Sequence, residues 1–205
     1  MYLIRVFCIL LLTFSCSTNI NYGYFEMYAN AIFKNRINVD DEFINSVNYS
    51  FIKARYNRNE ATLILAKNQN GIMEWVGADM VHIKTKNGII IETTGLPSNI
   101  SYYRNDVNKL LNPISRSSDF HFHLYIDEPE LIHTKVNFLF KASEPQEIIH
   151  GGSNKKVQKV IYEKKSDSIG WRTLDNYYID KGRVIKTEQS LSPLAGKIEI
   201  EFYYK

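Results

Sequence analysis

From about residue 50 onward the chain is written in short alternations of apolar and polar residues. Alternation at period two turns one side chain toward a core and the next toward solvent, as in a half-buried strand. Ser50–Tyr56, Glu60–Asn68, Ile72–Val76, Met80–Lys86 and Ile89–Thr94 read as consecutive strands, with Asn70-Gly71 and Asn87-Gly88 between them. Asn-Gly suits the type I′ turn, which needs positive φ at both central residues, so this half predicts an antiparallel meander. Ser101 to Leu111 is a polar, weakly helical break that stops before Pro113. Strand signals resume at Val136, Phe138 and Phe140, and continue through Val157–Lys164, Trp171–Asp180 and Val184–Leu191. In the last segment, Lys197 to Lys205, Ile198, Ile200 and Phe202 share one face and Glu199 and Glu201 the other. A short amphipathic helix is predicted over Tyr22 to Lys34, where Tyr24, Phe25, Tyr28, Ala29 and Ile32 recur at helical spacing and form a core stripe. The pattern amounts to about ten or eleven strands and two helices.

Composition narrows the class. With 205 residues, 44% hydrophobic and 23% charged, the chain is an ordinary globular one and not collagen-like, low-complexity or disordered. The 14 tyrosines favour strands over helices. Lys+Arg 25 against Asp+Glu 22 leaves a net charge of +3, and the cations are interleaved with acids. No basic stripe calls for a nucleic-acid partner. The only cysteines, Cys8 and Cys16, lie at the very start, so the rest of the chain has no intramolecular disulfide and no cysteine metal site.

The first sixteen residues change the picture most. Arg5 precedes an apolar run from Val6 to Phe14, which is too short to span a bilayer but fits the apolar region of a secretory signal. Small Ser15 precedes Cys16, and polar Ser17, Thr18 and Asn19 follow. This resembles a bacterial lipoprotein signal, in which cleavage before the cysteine frees it to carry lipid on its sulfur. Thr13 stands where the usual leucine would be, and Leu12 lies one position earlier. The expected organisation is a signal peptide over 1–15, a lipidated tether over 16–21 and one β-rich domain over 22–205. Cys16 is the expected lipidation site, and several acyl chains make such an anchor permanent. By resemblance to enteric lipoproteins, Ser17 in place of Asp implies export to the outer membrane.

Candidate chemistry is sparse. No G-x-S-x-G elbow, P-loop, G-x-G-x-x-G or H-E-x-x-H motif occurs. His121 and His123 point to the same side of a strand and could share a metal, with His133 as a third ligand. The alternation with Phe120, Phe122 and Leu124 equally fits histidines facing solvent, and no metal is expected. Gly151-Gly152-Ser153-Asn154-Lys155-Lys156 has the composition of a phosphate loop, but a strand follows it, so a hairpin turn is expected. Glu128 and Glu130 flank Pro129 as an acid/base pair would, with nothing to place them in a cleft. No catalytic residue and no cofactor is expected.

Three blocks carry a family resemblance. They are the aromatic helix Tyr24-Phe-Glu-Met-Tyr28 after the lipoprotein signal, Trp75-Val-Gly-Ala-Asp79 running into Lys86 to Pro97, and Asn176 to Pro193. In order and spacing they resemble the YjbF/GfcB family of group 4 capsule and exopolysaccharide lipoproteins. Tyr178 stands where the family pattern has Trp. The resemblance implies a mainly β, LolA-like fold, an open antiparallel half-barrel curled over a few short helices; a β-sandwich is the alternative. It also implies an outer-membrane lipoprotein facing the periplasm, working with an outer-membrane β-barrel and other polysaccharide-export proteins. The expected function is non-enzymatic assistance to capsule or exopolysaccharide secretion. A carrier or binder of lipid or glycan in an apolar groove is the alternative, and a polysaccharide-modifying enzyme a third reading.

Overall fold

The computed structural model describes residues 39, 41–56, 59–77, 80–96, 98–109, 118–127, 130–193 and 195–205. Cys8, Cys16, the signal segment, the helix expected over Tyr22 to Lys34, and Glu128 lie outside the described residues. A short helix, α1 (Asp41–Ser46), leads into β1 (Phe51–Tyr56), β2 (Asn59–Gln69), β3 (Ile72–Val76), β4 (His82–Lys86) and β5 (Ile89–Thr94). Then come β6 (Ile100–Tyr102), helix α2 (Arg104–Lys109), β7 (Phe120–Ile126) and β8 (Leu131–His150). The chain finishes with β9 (Ser153–Ser166), β10 (Trp171–Asp180), β11 (Arg183–Ser190) and β12 (Lys197–Tyr203).

Each strand pairs antiparallel with the next, and β1 pairs with β12 from Phe51↔Tyr203 to Tyr56↔Ile198. The sheet is therefore a closed barrel, which corrects the expected open half-barrel and its sandwich alternative. Closure follows from the faces of the end strands. Ile52 and Ala54 of β1 and Ile198, Ile200 and Phe202 of β12 all turn inward and are buried. Pairing the two strands completes one core and removes both sheet edges. The side chains of the strands, more than any helix, fill the interior. Trp75, Phe122, Phe138, Tyr162, Tyr177 and Phe202 are each at most 1% exposed.

The two walls are tied together. Gln189 of β11 donates its amide to the Gly88 carbonyl at 2.8 Å and accepts from the Ile90 N–H at 3.1 Å. The β4–β5 turn thus tucks against β11. Gly88 has φ +82°, and a Cβ there would lie 2.6 Å from Val184 Cγ1. Both the turn and the close approach require glycine. Outward positions carry crossed ion pairs, with Lys53 and Arg55 each 3.1 Å from Glu60 and Lys186 2.9 Å from Glu199. A charged exterior around an apolar interior is the reverse of a membrane-spanning barrel.

The longest element is an arm. β7 stops pairing with β8 at Phe120↔Phe138, while β8 and β9 run on together to His150↔Ser153. Beyond residue 138 no described strand pairs with that edge of β8, so Pro145 costs no ladder bond there. The Gly151-Gly152 turn at the tip has φ +60° and +79°, the hairpin expected of that glycine pair. The tip comes back to the barrel wall. His150 donates Nε2–H to the Phe202 carbonyl at 3.1 Å and stacks on Tyr203 at 4.6 Å. Tyr203 stacks in turn on Phe51, which takes the edge of Phe43 from α1.

Burial, reinforced by the nearby Lys155 ammonium, holds the His150 imidazole below its ordinary pKa despite the opposing pull of Glu201. A histidine that is neutral when folded takes up its proton more readily when unfolded. Stability from this contact is therefore full above about pH 6.5 and falls as the pH drops below that value. We expect the melting temperature to fall more steeply between pH 7.5 and 5.5 in the wild type than in His150→Gln. Parallel pH profiles would show that the arm tip does not titrate with His150.

Candidate functional site

A cleft of about 780 Å³ opens on the outer side of the wall where β5, β6 and β7 meet. Its position follows from the weakest stretch of the sheet. β6 has three residues and pairs with β5 at only Glu92↔Ser101. Side chains complete the seam: Thr93 Oγ1 accepts from the Ile100 N–H at 3.0 Å, and Asp127 accepts from the Asn99 backbone and amide, both at 2.7 Å. After Tyr102 the chain leaves the sheet for α2. Tyr103 donates its N–H to the His123 carbonyl at 2.8 Å, and its own carbonyl receives the Asp106 and Val107 N–H groups.

Asp106, on the first turn of α2, takes over where β6 ends. Its Oδ2 accepts the His123 backbone N–H at 2.9 Å and the ring Nδ1–H at 2.8 Å. Partial burial pushes the Asp106 carboxyl up, but these hydrogen bonds outweigh it and hold the group below the usual carboxylate range. In the neutral imidazole this bond leaves the other ring nitrogen of His123 as an acceptor.

His133 reaches the same place by a bulge. Ladder pairs at Leu124↔Thr134 and Ile126↔Leu131 leave Tyr125 facing two residues, Ile132 and His133. His133 takes φ +55°, unusual for a residue with a Cβ. The bulge re-aims its ring, which stacks on His123 at 4.3 Å and 9° and receives the edge of Tyr103 at 5.3 Å. His121 meets His123 edge-on at 5.8 Å.

The expectation that His121 and His123 share the outward face is met, and the fold brings His133 to them. The three rings stack and abut, and among the described residues no set of three His, Asp, Glu or Cys side chains is arranged to hold a metal. Glu130 lies in the exposed β7–β8 turn and does not line the cleft. Ser153 to Lys156 open β9.

Local sequence did not point to Asp106, because nothing along the chain says which strand its helix will meet. Nor did it point to the charged centre of the barrel. Lys164 and Asp175 are 2% and 0% exposed and lie 3.0 Å apart. Lys164 also donates to the Ser190 carbonyl and sits over the rings of Phe138 and Trp171 at 5.3 and 5.4 Å. Asp175 accepts from the Ser190 N–H at 2.9 Å. Burial works to lower the Lys164 ammonium, but Asp175 outweighs it and keeps the amine charged. A signal did exist: Lys164 has the parity of Val160 and Tyr162, and Asp175 that of Trp171 and Tyr177.

The family profile for the group 4 capsule polysaccharide lipoprotein GfcB, YjbF, matches residues 19–203. The chain belongs to this family. Among solved structures it is similar to the hypothetical lipoprotein YmcC from Escherichia coli (K12), with 16% identity, TM-score 0.74, and coverage of 93% of this chain and 98% of that one. That likeness shows a shared fold. A lipoprotein from Parabacteroides distasonis aligns with 9% identity and TM-score 0.34 over 77% of this chain and 95% of its own, too loosely to bear on the YjbF fold. No curated protein sequence matches the chain. The YjbF member described here is thus a lipoprotein-family barrel related to capsule polysaccharide.

Proposed function

We propose that the chain is a non-catalytic accessory lipoprotein of capsule or exopolysaccharide secretion. Cys16 carries the lipid, and the barrel hangs on the periplasmic face of the outer membrane beside an outer-membrane β-barrel and other export proteins. The observation that carries this reading is the capsule-lipoprotein family match across residues 19–203. The barrel's packing supports it. Aromatic side chains occupy the interior, and Lys164 with Asp175 puts fixed charge at its centre. An acyl chain would have to displace both, so work through the outer surface is favoured over carriage within the barrel.

One observation favours catalysis instead. The Asp106–His123 pair has the form of an oriented general base, and it sits in a cleft. Deleting the gene separates the readings. Loss of an export factor lowers polysaccharide at the surface while polymer or precursor accumulates inside. Polymer exported at normal yield with altered length or substitution would speak for an enzyme.

A further inference from the structure

We propose that the cleft beside β6 binds a segment of acidic polysaccharide. The inference rests on the secretion reading and deepens it by naming the ligand of this site.

Exposed apolar surface is gathered there. Tyr103, Tyr125 and Ile132 are 56%, 42% and 69% exposed, and all three line this one cleft. Large side chains held in water around a concavity mark a binding surface. The volume, about 780 Å³, lies within the ~300–1,000 Å³ of ordinary ligand sites. The buried side chains of Ile91, Tyr102, Val107 and Leu124 also line it.

The lining fits a sugar. A pyranose has an apolar C–H face and a rim of hydroxyls. Tyr103 and Tyr125 offer ring surface for the face, and Gln69, Asn70, Glu74 and Ser101 offer donors and acceptors for the rim. The platform is rigid before any ligand arrives. Asp106 fixes His123, His123 stacks on His133, and His133 packs against Tyr103. Preorganisation of this kind lowers the ordering cost of binding.

The lining carries three cations, Lys67, Lys84 and Arg104, against two carboxylates, Glu74 and Glu92, and the positive excess favours an acidic sugar. Lys84 is neutralised by Glu92 at 2.7 Å. Lys67 and Arg104 also line the cleft, and among the described residues no ion pair holds either of them. A uronate or similar anionic substituent would supply the missing partner, bidentate in the case of Arg104.

Calorimetric titration of the full chain in detergent tests this, with octagalacturonate as the acidic probe. Maltooctaose serves as the neutral control and glycerol 3-phosphate as a stand-in for a lipid headgroup. We expect saturable binding of octagalacturonate, at least tenfold weaker for Tyr103→Ala and for Arg104→Gln. Lys156→Gln on the arm, outside the cleft, should bind like the wild type. Circular dichroism of each variant confirms that it is folded. Absence of binding, equal loss with Lys156→Gln, or equal affinity for glycerol 3-phosphate overturns the proposal. If octagalacturonate does not bind and gene deletion still strips polysaccharide from the surface, the cleft proposal fails and the secretion reading stands.

Discussion

Asp175→Asn is expected to cost about 3–5 kcal/mol, a large part of the roughly 5–15 kcal/mol that stabilises an ordinary domain. The substitution keeps the shape and leaves an amide oxygen to accept the Ser190 N–H, but it strips the counter-charge from Lys164. An ammonium that is 2% exposed must then lose its proton or stay charged in an apolar interior. Either route is unfavourable by several kcal/mol. Lys164→Met combined with Asp175→Asn removes the stranded charge. The double variant should recover at least about 1 kcal/mol relative to Asp175→Asn, and full recovery is not expected because the Ser190 carbonyl loses its Lys164 donor. Urea unfolding of the four proteins measures this. If the double variant is less stable than Asp175→Asn by the full cost of Lys164→Met, the pair is not coupled and the charged centre is misplaced.

Ile200→Asp is expected to leave the domain unfolded or within a few kcal/mol of it. Ile200 is fully buried, pairs with Ala54 on one side and Thr187 on the other, and sits on the strand that closes the barrel. A carboxylate there has no partner, and failure of β12 also frees β1. Ile200→Val, which removes one methylene, should cost only about 0.5–1.5 kcal/mol and keeps the position measurable in folded protein. The next residue is the control. Glu199 faces out, where it meets Arg55 at 3.3 Å and Lys186 at 2.9 Å. Exposed pairs of this kind contribute little, so Glu199→Ser should cost about 0.5 kcal/mol. Comparable losses at the two positions would mean that the faces of β12 are assigned the wrong way round.

The contrast between residues 199 and 200 shows what kind of information the chain displays openly. Apolar β-forming runs bounded by turn residues are local, so β3, β5 and β10 can be read to their end residues as Ile72–Val76, Ile89–Thr94 and Trp171–Asp180. Turn chemistry is local too, and Asn70-Gly71 and Asn87-Gly88 adopt the positive φ angles their type demands. β6 escapes such a reading because three residues make no alternation and its seam with β5 rests on one ladder pair and a side chain. Closure of the barrel escapes for a different reason. Phe51 and Tyr203 meet from opposite ends of the domain, and no periodicity announces that the first strand will take the last as its neighbour. The cleft divides along the same line. The shared face of His121 and His123 follows from parity, whereas Asp106 and the stack on His133 depend on a helix placement and a bulge that only the folded chain defines.

A protein that works by anchored surfaces and one that works by catalysis respond differently to two substitutions. The measurement is cell-surface polysaccharide in a strain whose only copy of the gene carries Cys16→Ala or His123→Gln. Cys16→Ala should release the domain from the membrane and lower surface polysaccharide toward the level of the deletion. His123→Gln, which removes the oriented imidazole and loosens the cleft but leaves the anchor in place, should lower surface polysaccharide far less than Cys16→Ala does. Loss of export in His123→Gln while the protein stays folded and lipidated, with normal export in Cys16→Ala, would contradict this account and make the Asp106–His123 pair the working part of the molecule.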